Sequence, residues 1–143
     1  MSDGDFDLTD AYAVETPDDN RDLYARWAAT YESAFIADNG YVYHLGVVGS
    51  FVDTASDEDD PVLDVGCGTG LSGLALVAAG FSTLDGCEFS PAMLKQAKQT
   101  DAYPRLFEAY LNEGIDAPDG SYDAGTVVGV LSFGCVQPGV LLE

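Results

Sequence analysis

Val62-Leu63-Asp64-Val65-Gly66-Cys67-Gly68-Thr69-Gly70 is the stretch that decides how this chain folds. Three β-friendly aliphatics and one acid run into glycines at every second position, and an apolar, alanine-rich segment over 71–79 follows. A buried strand that ends in a glycine turn and opens a helix is how α/β folds build small-molecule sites. Backbone without side chains can approach a ligand closely there.

Outward from that turn the alternation is regular. A strand over 62–65 and a helix over 69–79, ended by Gly80, lead to a second strand over 82–88. Ser90-Pro91 caps and starts the next helix, which continues through Met93, Leu94 and Ala97, and a short third strand fits 105–109. Turn signals at Asn112-Glu113-Gly114 and Pro118-Asp119-Gly120 precede a fourth strand over 124–131. Strand and helix patterns that take turns make βαβ units. The fold class expected is therefore α/β, a parallel sheet flanked by helices.

On the N-terminal side, residues 1–15 are acidic without a sustained apolar period and read as a disordered tail. Thr16-Pro17-Asp18-Asp19 reads as a helix start: threonine caps, proline suits the first helical position, and the acids favour the positive end of the dipole. Leu23, Tyr24, Trp27, Ala28 and Tyr31 then recur at spacings of three and four, giving one aromatic face. Asp38-Asn39-Gly40 is a turn, 41–55 a second helix weakened by Gly46 and Gly49, and 56–61 an acidic connector.

The 143 residues make one domain, long enough to bury a core. Twenty-five acids against five Lys and Arg give a formal charge of −20, so no basic patch neutralises phosphates and nucleic acid is not expected as a partner. Such acidity fits adaptation to high salt as well as it fits an ordinary solvated surface. No apolar run reaches bilayer length and the first ten residues are acidic, so no membrane partner is expected and the chain reads as soluble and cytoplasmic. Cys67, Cys87 and Cys135 form no CxxC pair, and His44 is the only histidine. Neither a metal site nor a disulfide framework is expected. The cysteines read as small buried hydrophobes and His44 as a surface residue.

The glycine spacing selects the ligand. A dinucleotide turn needs its third glycine five residues after the first, where Leu71 stands, and no Gly-Lys-Ser/Thr follows to cradle a phosphate. Asp64, two residues before the first glycine, would repel a pyrophosphate but suits a cationic ligand. S-adenosyl-L-methionine (SAM) carries an ammonium and a sulfonium and no phosphate. Glu88, at the end of the second strand, stands where a carboxylate can accept from both ribose hydroxyls of an adenosine.

These residues resemble a known family. The 62–70 stretch is similar to the first motif of the class I SAM-dependent methyltransferases. Gly86-Cys87-Glu88-Phe89-Ser90-Pro91-Ala92-Met93-Leu94 resembles their segment after the second strand, and Ser121-Tyr122-Asp123-Ala124 their approach to the fourth. Within the class, Tyr24-Ala25-Arg26-Trp27-Ala28-Ala29-Thr30-Tyr31-Glu32 and Gly129-Val130-Leu131-Ser132-Phe133-Gly134-Cys135-Val136-Gln137-Pro138 resemble the Williams–Beuren-region methyltransferase-like proteins.

The resemblance implies a Rossmann-like core over 61–143 with strand order 3-2-1-4, and a helical lid segment over 16–60. It implies SAM as cofactor and a small-molecule methyl acceptor. Asp64, Gly66, Cys67, Gly68 and Gly70 would hold the methionine end, and Glu88 the ribose. Phe89, Met93, Tyr110 and Leu111 would surround the adenine, while Tyr24, Trp27 and Tyr31 would close over it. No catalytic residue is named, since methyl transfer rests mainly on proximity and alignment. The family sheet has seven strands, and this chain reaches Glu143 after the fourth. That implies an exposed fourth strand open to self-association. Two rivals stand beside the enzyme: a non-catalytic module that binds SAM or S-adenosylhomocysteine, and a nicotinamide-dependent oxidoreductase.

One departure generates a prediction. Where the family places an acid to accept the adenine amino group, this chain has Tyr110, a neutral oxygen. Tyr110→Asp should tighten SAM binding by about 1 kcal/mol in calorimetry. An unchanged or weaker affinity would remove Tyr110 from the adenine site.

Overall fold

A computed structural model describes residues 9–10, 13–28, 42–55, 57–128 and 130. The expectations for most of the acidic tail, for Tyr31, and for the stretch from 131 onward lie outside the described residues. The described elements are α1 (Pro17–Trp27), α2 (Tyr43–Thr54), β1 (Val62–Val65), α3 (Leu71–Ala78), β2 (Leu84–Glu88), α4 (Pro91–Lys98), β3 (Arg105–Glu108) and β4 (Ala124–Val127). A single 3₁₀ turn, Leu111–Glu113, lies between β3 and β4.

The four strands are parallel and ordered β3-β2-β1-β4, the expected architecture. The chain runs outward from β1 to β3 and then returns to place β4 on the other side of β1. Strand order reverses at the β1–β4 boundary, which is where open α/β sheets leave a crevice beyond the strands' carboxyl ends. The glycine turn after β1 opens there.

Local chemistry explains the element ends. At α1 the Thr16 hydroxyl accepts from the Asp19 amide at 3.2 Å while the Asp19 carboxylate accepts from the Thr16 amide at 3.0 Å, a reciprocal capping box ahead of Pro17. Asn20, Leu23 and Trp27 then form the buried face. Helix α3 begins at Leu71 instead of Thr69, because Gly70 adopts φ +100°, a left-handed conformation that no helix accommodates. Ser90 caps α4 by accepting from the Met93 amide. The fourth strand ends at Val127, earlier than the expected 131. Beyond it the Val130 side chain occupies the space that a Cβ on Gly66 would fill.

Two apolar layers hold the sheet. On one face Val62 and Leu84 meet Val48 of α2, Leu76 of α3 and Ala97 of α4, with Phe81 and Tyr103 filling the gaps. On the other, Leu63 and Cys87 meet Ala109 and Leu111. The second face is covered by the 3₁₀ turn and by Ile115, Tyr122 and Val130. Gly114, Pro118 and Gly120 interrupt any longer helix between β3 and β4. The Tyr103 ring lies so close to Gly73 and Gly86 that a Cβ on either would overlap it. Those two glycines therefore let one bulky ring reach the middle of the sheet.

Candidate functional site

A cleft of about 980 Å³, counting its open mouth, lies over the carboxyl ends of β1, β2 and β4. Nine of the residues singled out from the sequence line it: Tyr24, Gly66, Cys67, Gly68, Glu88, Phe89, Met93, Tyr110 and Leu111. Gly68 has open space where a Cβ would stand and adopts φ +56°, so bare backbone faces a ligand there. Asp64, Gly70 and Trp27 are not in the cleft wall.

Each of those three supports the wall from behind. Trp27 is 3% exposed and packs edge-on to Tyr24, ring centroids 5.8 Å apart, so it fixes the ring that does reach the cleft. Gly70 holds the left-handed conformation that starts α3. Asp64 is 1% exposed, and its carboxylate accepts from the Tyr103 hydroxyl at 2.7 Å and the Thr126 hydroxyl at 3.0 Å. Its place two residues before the first glycine puts Asp64, as an expectation, at the cationic end of a ligand. In the structure each of its oxygens accepts from a protein hydroxyl, and the side chain is buried out of the cleft wall. Burial raises its pKa to about 6 against the two hydroxyl bonds, which act to lower it.

Glu88 is the acid that faces the cleft. One carboxylate oxygen accepts from the Phe89 and Ser90 amides at 2.9 and 3.0 Å, and the other accepts from the Gly68 amide at 3.0 Å. The end of β2 and the glycine turn are thereby clipped together, assisted by the Cys67 amide donating to the Cys87 carbonyl at 3.0 Å. Burial pushes the Glu88 carboxyl above its ordinary value, while the three amides pull it down.

One wall of the cleft is aromatic. Phe89 and Tyr110 lie with ring centroids 5.9 Å apart. Behind Phe89 the Arg21 guanidinium sits 4.8 Å from the ring centroid and pairs with Glu108 at 3.6 Å, tying α1 to the ends of β2 and β3.

Sequence reasoning missed several residues in or behind the cleft wall. Asn20, 4% exposed, sits three positions before Leu23 on the inward face of α1, a spacing that could have revealed it. Thr126 stands opposite Asp64 in the parallel register, a relation visible only once β4 is aligned on β1. His44, read as a surface residue, is half-buried and lines the cleft, as do Cys67 and Cys87. Nothing in sequence spacing could bring α2 to the turn. The two thiols are not poised nucleophiles. Burial pushes Cys87 up to about 11 and Cys67 higher still.

A protein-family comparison matches a methyltransferase domain to residues 62–140, more than half of the chain. The chain belongs to the methyltransferase-domain family. Human methyltransferase-like protein 27 is 46% identical to this domain over 83 residues, which is 57% of this chain and 34% of the relative. Bovine 18S rRNA (guanine-N(7))-methyltransferase is 36% identical over 80 residues, 54% of this chain and 28% of the relative. Among solved structures, SAM-bound CalS10, an amino pentose methyltransferase from Micromonospora echinaspora, is 30% identical with a TM-score of 0.53, covering 70% of this chain and 42% of that one. This methyltransferase domain thus spans about a third of the length of the curated relatives it matches. Its class I, Rossmann-like character agrees with both the motif and the strand order.

The buried acid yields a pH prediction. Because the folded-state pKa of Asp64 is about 6, above the ordinary value near 4, its contribution is fully present below pH ~4 and is lost as pH rises through about 6. Asp64→Asn keeps an acceptor and the shape but removes the charge. Between pH 4 and pH 7 the variant should gain on the parent by up to roughly 3 kcal/mol in urea unfolding. An identical stability difference at both pH values would show that the ionised Asp64 is not costly.

Proposed function

We propose that this domain binds SAM in the cleft and transfers its methyl group to a small-molecule acceptor. The observation that carries the reading is Glu88, a carboxylate bonded to the Gly68 amide and facing a cleft whose described lining contains no Lys or Arg. A phosphate-bearing cofactor would meet a negative wall with no compensating cation. An adenosine with hydroxyls to donate meets an acceptor. NAD carries the same ribose hydroxyls, so the choice of SAM over a nicotinamide dinucleotide also leans on the glycine spacing, with Leu71 where a dinucleotide turn has its third glycine.

The residues fit the cofactor in named ways. Glu88 holds the ribose, Phe89, Met93, Tyr110 and Leu111 enclose the adenine, and the backbone of Gly66, Cys67 and Gly68 runs beside the methionine end. Asp64, Gly70, Trp27 and, through Phe89, Arg21 hold these walls in place. SAM supplies an electrophilic methyl on a sulfonium, and the protein's work is alignment and exclusion of water. A carboxylate offers about four acceptor positions, and three on Glu88 are already used by amides. Accepting both ribose hydroxyls requires one amide to let go. The Gly68 amide, on the open glycine turn, is the one whose release lets the turn close on the ligand.

A small-molecule acceptor is favoured by the charge of −20, which opposes a phosphate backbone at the cleft mouth. The name of the bovine relative shows that the family also includes RNA methylation, so rRNA is the competing acceptor. Isothermal titration with S-adenosylhomocysteine and with NAD tests the cofactor. The first should bind and the second should not, and Glu88→Ala should weaken S-adenosylhomocysteine binding by about 1.5–3 kcal/mol. Equal binding of NAD, or a Glu88→Ala variant of unchanged affinity, would sink the assignment. Label transferred from methyl-labelled SAM to rRNA, and not to a metabolite extract, would replace the small-molecule acceptor.

A further inference from the structure

The geometry points to His44 as the proton acceptor of this cleft, facing a neutral acceptor molecule that presents a hydroxyl. The inference rests on the cofactor reading above and deepens it. The sheet order divides the cleft. Glu88, Phe89 and Tyr110 stand at the β2–β3 side, whereas α2, which carries His44, packs against α3 and β4 on the other. With adenosine on the first side and the glycine turn between, an acceptor enters beside β4. The lining there includes the apolar Leu71, Val128 and Val130 and the polar Thr69, Ser72 and His44, and of these only the imidazole accepts a proton near neutral pH.

The chemistry of the remaining groups leaves that role to His44. Cys67 and Cys87 are held protonated by burial, and Glu88 is engaged with three amides. Imidazole has its ordinary pKa near neutrality. Burial lowers that of His44 and favours the neutral, proton-accepting ring. Its place on the first turn of α2 acts in the same direction, since the positive end of a helix disfavours imidazolium. The packing elements do not oppose this: α3 and β4 carry no titratable side chain. Across the cleft stand Glu88, Tyr24, Tyr110 and the two thiols, with Arg21 on α1; α2 itself adds Tyr43 and, near its far end, Asp53.

The step balances without a further reagent. The acceptor oxygen forms its bond to the methyl carbon as the carbon–sulfur bond breaks with its electron pair to sulfur. The hydroxyl proton passes to the imidazole and is later released to water. A base so placed contributes about 10²–10⁴-fold in comparable reactions.

Because His44 is the only histidine, NMR of its ring reports on it without assignment. The ring is titrated against pH alone, with saturating S-adenosylhomocysteine, and with S-adenosylhomocysteine plus phenol as a hydroxyl probe. The midpoint should lie below 6.5 in the free protein. Phenol added to the complex should move the ring signals and lower the midpoint further, since a hydroxyl donating to the neutral ring favours that form. His44→Gln should keep its S-adenosylhomocysteine affinity within about twofold in calorimetry and weaken phenol about tenfold or more. If S-adenosylhomocysteine does not bind, the cofactor reading and this inference fall together. If it binds and phenol leaves the ring unmoved, only the inference is overturned. Loss of S-adenosylhomocysteine affinity in His44→Gln would assign His44 to the cofactor and overturn its acceptor role.

Discussion

A carboxylate buried in the central strand sets the terms for the rest of this structure. Asp64 cannot be solvated where it lies, so it draws hydroxyls from both sides, Tyr103 from the segment before β3 and Thr126 from β4. Reaching it requires the Tyr103 ring to cross above Gly73 and Gly86, where any side chain would collide. One costly charge thus accounts for a tyrosine, a threonine and two glycines far apart in sequence. It also joins β1 to β4 at the boundary where the cleft opens.

Above that buried tie sits a second, more exposed one. Glu88 clips the glycine turn to the start of α4 through three amides and remains in the cleft wall. The two acids look alike in sequence, each beside a strand end, yet they differ in role because one is sealed under the turn and the other opens onto it. The buried one fixes the turn's position. The other lines the cleft, where in the proposed reading it meets a ligand by exchanging an amide for a hydroxyl. A turn held firmly from below and loosely from the side is suited to closing on a cofactor.

Much of this was legible from residues alone. Glycine spacing excluded a dinucleotide turn, and the periodic alternation gave a parallel sheet whose order the structure reproduces. The capping box at Thr16 and the Ser90-Pro91 start were local signals with local causes. Boundaries slipped where backbone conformation and tertiary packing intervene: α3 starts after Gly70 because of its left-handed backbone, and β4 ends at Val127, ahead of the Val130 side chain that packs against Gly66. Asp64 neighbours the turn in sequence, but spacing does not reveal which side of it a residue faces, and the structure buries it out of the cleft wall. His44 was passed over for a related reason. Its contact with the cleft depends on how α2 packs on α3 and β4, a relation that no short-range pattern encodes.

The central claim is that Glu88 exchanges an amide of the glycine turn for the ribose of an adenosyl cofactor. A crystal structure of the chain with S-adenosylhomocysteine tests it most directly. The account predicts both ribose hydroxyls at about 2.6–3.0 Å from the Glu88 carboxylate, with the Gly68 amide bond to Glu88 opened. Ligand bound with Glu88 still holding all three amides and no ribose contact would contradict it.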